Sequence, residues 1–139
     1  MNWKHRSLAA LSTVALAAGG ALAVAGPASA AAGTGNCGAA HLCVYNSTNF
    51  LGEKITASST NSCFRTYTVV GHDFLTMSYV NNLSVDAYIY TDLPGGGFEK
   101  ARTLVSGGFS SDINATGGGY YLNVVICEGS ANPANYPGL

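Results

Sequence analysis

Charge is scarce in this chain: only 9% of its 139 residues are Asp, Glu, Lys or Arg. Beyond residue 30 there are four basic residues, Lys54, Arg65, Lys100 and Arg102, against seven acidic ones. Four minus seven gives −3, a thin acidic balance that nucleic acid and anionic membrane surfaces repel, so both are set aside as partners. No Cys-x-x-Cys pair is present, which argues against a zinc site built on thiols. A Gly-x-Ser-x-Gly elbow and a His-Glu-x-x-His helix are missing too, and no carboxylate pair has a telling spacing. The chain does not read as an enzyme, and it implies no cofactor and no metal site. No window carries a capped helical period over ten or more residues, which excludes a helical bundle.

What is there begins with an export signal over residues 1–30. Lys4, His5 and Arg6 give a positive start, an Ala/Leu/Val/Gly run follows, and Pro27-Ala28-Ser29-Ala30 closes it with small residues. No later run is long and apolar enough to span a bilayer, so the expected product is secreted, extracellular, free of the membrane and monomeric. Cleavage after Ala30 leaves 109 residues, enough for one domain. Residues 31–36 read as a disordered leader, 37–128 as the folded domain and 129–139 as a flexible tail.

All four cysteines, Cys37, Cys43, Cys63 and Cys127, lie in that domain. An even count in a small exported domain implies two disulfides, and the three ways of pairing them stay open.

The domain is strand-like throughout. Residues 42–45, 54–56, 64–70, 75–80, 85–90, 102–105 and 120–127 are short β-branched and aromatic runs. Each is bounded by Gly, Asn, Ser or Asp, a rhythm that predicts an all-β sandwich or barrel. One stretch also repeats after 45 residues: Cys43-Val44-Tyr45 through Gly52-Glu53-Lys54 is echoed by Tyr88-Ile89-Tyr90 through Gly97 and Glu99-Lys100. Tyr45 precedes Gly52 by seven residues, as Tyr90 precedes Gly97. This predicts two similar hairpin units packed on each other, with each Gly at a positive-φ turn and Phe50 covering the first of them.

The same residues resemble the βγ-crystallin superfamily, whose unit opens with a Tyr-x4-Phe-x-Gly hairpin, here Tyr45, Phe50 and Gly52. More closely, the chain is similar to the secreted bacterial peptidase inhibitors typified by the Streptomyces metalloproteinase inhibitor. The likeness rests on Cys37-x5-Cys43, Asn49-Phe50-Leu51-Gly52, Cys63, and Ser78-Tyr79-Val80-Asn81-Asn82. It implies a disulfide-linked, βγ-crystallin-like Greek-key β-sandwich that inserts a loop into the cleft of an extracellular protease, a metalloprotease in the typifying case. The other reading is a non-inhibitory structural, calcium-binding or antimicrobial extracellular protein. The calcium registers of such domains, at residues 72–78 and 111–116, lack paired acidic donors here.

The typifying inhibitor uses a cysteine-bracketed loop in its second half, where this chain has only Cys127. The inhibitory loop is therefore sought among protruding connections. Ser58, Ser59, Thr60, Asn61 and Ser62, braced by a bridge at Cys63, are preferred over the Gly95-Gly96-Gly97 turn, which has no side chains to offer. His72-Asp73 reads as a turn rather than an acid/base pair, and the glycine runs at 95–97 and 117–119 as hairpin connections. Asn46, Asn82 and Asn114 sit in glycosylation sequons but read as turn residues whose side chains cap the backbone. Tyr67, Tyr79, Tyr88, Tyr90, Tyr120 and Tyr121 read as half-buried core.

Overall fold

The structure, a computed structural model, describes residues 35–139. The expected export signal lies outside the described residues. Ten short strands follow one another: β1 Leu42–Tyr45, β2 Lys54–Ala57, β3 Cys63–Arg65, β4 Leu75–Thr76, β5 Ser78–Asn81, β6 Ala87–Asp92, β7 Phe98–Leu104, β8 Phe109–Ser110, β9 Tyr121–Leu122 and β10 Val125–Glu128. They form two antiparallel four-stranded sheets, ordered β2-β1-β5-β8 and β3-β10-β6-β7, with β4 and β9 pairing apart. The fold is all-β and disulfide-linked.

Alternation along β1 shows how the sequence builds the layers. Leu42 and Val44 point into the main core, which also holds Ile55, Ile89, Leu104 and Ile126 and so lies between the sheets. Cys43 and Tyr45 point the other way, into a smaller cluster with Val80, Cys37 and Phe50. Along β10, Ile126 faces the main core while Val125 and Cys127 join an outer cluster with Ala131, Tyr136 and Leu139. Each sheet is thus covered on its outer face by a terminal segment; one disulfide fastens the first cover to β1, and the other joins β3 to β10 beneath the second. The bridges are Cys37–Cys43 and Cys63–Cys127.

The two halves of the chain exchange strands. β3 leaves the first half to pair with β10, and β8 from the second half pairs with β5. The repeat is visible as the β1–β2 and β6–β7 hairpins, with Gly52 at φ 74° and Gly97 at φ 91°.

Four expectations are corrected. Residues 64–70 are not one strand, because the chain turns into a helical turn, α1 Thr66–Val70. Buried Thr66 donates its amide and hydroxyl to the Val124 carbonyl, and Gly71 at φ 78° ends the turn, so tertiary contact overrides β-propensity. Phe50 covers Gly35 and the Tyr45 ring rather than Gly52, which packs against the side chains of Asn46 and Ser47. The end of the expected leader is held, since Tyr45 donates to the Gly35 carbonyl (2.7 Å) and Lys54 to that of Asn36 (3.1 Å). The tail is held as well. Ala131 and Pro133 are buried, and Asn132 caps a 3₁₀ turn, Pro133–Asn135, by accepting from the Ala134 amide. The apolar side chains of Ala131, Tyr136 and Leu139 find the outer face of the second sheet, a partner that composition did not reveal.

Candidate functional site

Residues 58–62 connect β2 in the first sheet to β3 in the second, so the two ends of this loop belong to different sheets. Ser58, Thr60 and Asn61 are exposed, and Ser59 and Ser62 are half-buried. Ser59 Oγ accepts from the Asn61 amide (3.1 Å), a local turn bond of the kind serine favours.

The floor of the loop is the end of β10 and the tail. Ser62 Oγ donates to Glu128 Oε2 (2.9 Å), and the Glu128 amide donates to the Ser62 carbonyl (2.9 Å). Ser130 Oγ meets Asn61 Oδ1 at 3.0 Å, and the Tyr136 hydroxyl donates to the Asn61 carbonyl (3.4 Å). Gly129, at φ 63°, lies directly under the Thr60 carbonyl, where any Cβ would collide. Next to this, Cys63–Cys127 ties the loop's end to the same strand. Sequence reading found the disulfide brace but missed Glu128, Gly129, Ser130 and Tyr136. Only their closeness to Cys127 hinted at them.

Glu128 is fully buried, and its Oε1 has no hydrogen-bond partner among the described residues. Burial raises its carboxyl above the ordinary 4.5, and hydrogen bonds from Ser62 and Ser59 only partly oppose this. The folded state therefore prefers the protonated acid. Its contribution to stability is complete below about pH 4.5 and is lost as pH rises through the raised value. Asp92 acts in the opposite sense. A two-pronged bond from Arg65 (2.8 Å to each oxygen) lowers its carboxyl, so that support is lost as pH falls through and below the ordinary 3.8. Glu128→Gln is expected to flatten the decline in melting temperature as pH rises above about 4.5, while leaving the acid limb intact. Parallel melts across that range check it, and an unchanged profile would refute the assignment.

The rival turn is different in kind. It closes through Leu93 and Gly97 (N to O, 3.0 Å), its three glycines all have positive φ, and nothing packs within 4 Å of where a Cβ would sit on any of them. It presents bare backbone.

His72 and Asp73 do not form an acid/base pair. His72 meets Glu53 (2.8 Å) and the Val70 carbonyl, while Asp73 accepts from Asn123 (2.7 Å). All three sequon asparagines bind backbone, Asn46 and Asn114 locally as turn residues do and Asn82 across to the distant N-terminal segment. Asn46 accepts from the Glu53 amide, Asn82 donates to the Cys37 and Gly38 carbonyls, and Asn114 accepts from the Gly119 amide. The tyrosines divide: Tyr79 and Tyr121 are buried, Tyr88 and Tyr90 half-buried, and Tyr67 and Tyr120 exposed. Lys100 lies over the Tyr88 ring at 4.3 Å. No group of three or more His, Cys, Asp or Glu among the described residues could hold a metal ion.

A disulfide-braced, all-β frame with a connection held between its two sheets is a scaffold on which a binding loop can be fixed. Residues 30–100 match Peptidase inhibitor family I36, and the chain belongs to that family. It is therefore a peptidase inhibitor by family and not an enzyme, and its partner is a protease. No match was found among curated proteins or among solved structures.

Proposed function

We propose that the protein is exported and inhibits an extracellular peptidase, a metallopeptidase foremost, by seating residues 58–62 in the active-site cleft. The metallopeptidase assignment rests on the sequence resemblance. One observation carries the choice of loop: its two ends are anchored in different sheets, and its floor is held by Glu128 and Cys63–Cys127. A loop fixed in this way loses little entropy on docking, and a nick within it leaves both new ends attached to the domain. The products stay in place, and the cleft stays filled.

The test uses mature protein recovered from the culture medium, titrated against metallo-, serine and cysteine peptidases. A companion variant carries Gly-Gly-Ser-Gly in place of Ser58-Ser59-Thr60-Asn61. The variant is expected to keep its melt within a few degrees and to lose about 100-fold in inhibition constant, roughly 2.7 kcal/mol. Undiminished inhibition by a folded variant would exclude this loop.

A further inference from the structure

The tip of the β1–β2 hairpin lies at the far end of β2 from residues 58–62. In the turn Thr48–Phe50, Asn49 (φ 57°) and Phe50 (φ 60°) are both left-handed, a costly conformation for a residue as bulky as phenylalanine. That twist turns Phe50 inward, edge-on to Tyr45 (5.8 Å between centroids) and to Phe109 (6.1 Å). Leu51 is left pointing out. It is 63% exposed, on extended backbone (φ −102°, ψ 174°), the conformation in which a substrate lies in a peptidase cleft.

The tip is held from several sides. Asn49 donates to the Ser111 carbonyl (2.7 Å) and the Phe50 amide to Ser78 Oγ (3.1 Å). That same hydroxyl donates to the Ser47 carbonyl (2.7 Å). A Cβ at Gly52 would meet Asn46 Oδ1 and Ser47 Oγ, on backbone at φ 74° that side chains rarely adopt. Strain, rigidity and an exposed apolar side chain thus meet on one short segment. Loop 58–62, by contrast, carries only hydroxyl and amide side chains.

We infer that the tip around Leu51 is a second recognition loop, for a peptidase whose primary pocket accepts a large apolar side chain. Leu51 enters that pocket, and Phe109, itself 53% exposed, packs at its rim. The four residues of β2 put about 13 Å between the two loops, so the tip acts independently of residues 58–62. This rests on membership of the inhibitor family and not on the first loop being inhibitory.

Leu51→Asp, Leu51→Met and the Gly-Gly-Ser-Gly variant are compared on peptidases selective for large apolar residues, with inhibition constants and melts. For at least one of them, Leu51→Asp is expected to weaken inhibition by about 30-fold or more, with Leu51→Met near wild type and all melts alike. The Gly-Gly-Ser-Gly variant should inhibit that enzyme undiminished. If Leu51→Asp matches wild type on every inhibited peptidase, the inference falls, and the first loop stands or falls by its own variant. Joint loss of one enzyme in both variants would mean a single composite site and would overturn the independent second loop. If the wild-type protein inhibits none of them, the inference is overturned outright.

Discussion

Replacing Cys63 and Cys127 together with serine is expected to cost about 4 kcal/mol of stability. The bridge closes a separation of 64 residues, and the loop entropy returned to the unfolded chain grows with the logarithm of that length. By the same reasoning Cys37–Cys43, with a separation of 6, is worth about 2 kcal/mol. The larger loss also reaches the proposed function. Without the bridge, the end of loop 58–62 hangs on β3, a three-residue strand paired with β10. A peptidase that cuts the loop would then pull the end away, and inhibition should become transient. Denaturant unfolding with parallel time courses of inhibition checks both parts. A cost below about 1 kcal/mol, or inhibition as lasting as in the wild type, would contradict the brace.

Asn81→Leu is expected to be nearly as damaging, by about 3–5 kcal/mol, although the two side chains are close in size. Asn81 is fully buried at the end of β5. Its Nδ2 donates to the carbonyls of Val85 (3.0 Å) and Leu104 (2.8 Å), and its Oδ1 accepts from the Leu83 amide (3.0 Å). Leucine would take this partner from two carbonyls and an amide, those of Leu104 and Leu83 in buried contacts, at about 1–3 kcal/mol for each group left unsatisfied. Melting should fall by some 15–25 °C in a domain of this size. A drop within a few degrees would show that water reaches these groups. The Ser-Tyr-Val-Asn-Asn run that carried the family likeness is thus a structural device, since residues 78–81 are all buried.

Local regularities were legible in the sequence alone. The short apolar run Leu42-Cys43-Val44-Tyr45 predicts a strand, and the structure makes it β1, with its alternate residues in two separate clusters. The even count of cysteines predicts two bridges, and the doubled Tyr-to-Gly spacing predicts two hairpins. The hairpin glycines Gly52 and Gly97 have the positive φ that their turns required. These features lie within a dozen residues of one another, or follow from a count, so chain order is enough to reveal them.

What tertiary structure decided depends on contacts between distant residues. Three cysteine pairings were open until β3 was placed beside β10, 64 residues on, which made Cys63 and Cys127 direct neighbours. Residues 64–70 have strand composition, yet the Val124 carbonyl draws Thr66 into a helical turn. The tail, with Pro133 and Pro137, read as having little to bury until an outer sheet face received Ala131, Tyr136 and Leu139. In the sequence Glu128 is only one of seven acids in the charge balance, but folding buries it beneath Ser62. Leu51 reads as a hairpin residue like its neighbours, and only the left-handed backbone of Asn49 and Phe50 turns it outward. In each case burial or exposure depends on which remote segment arrives, and a one-dimensional pattern does not encode that distance.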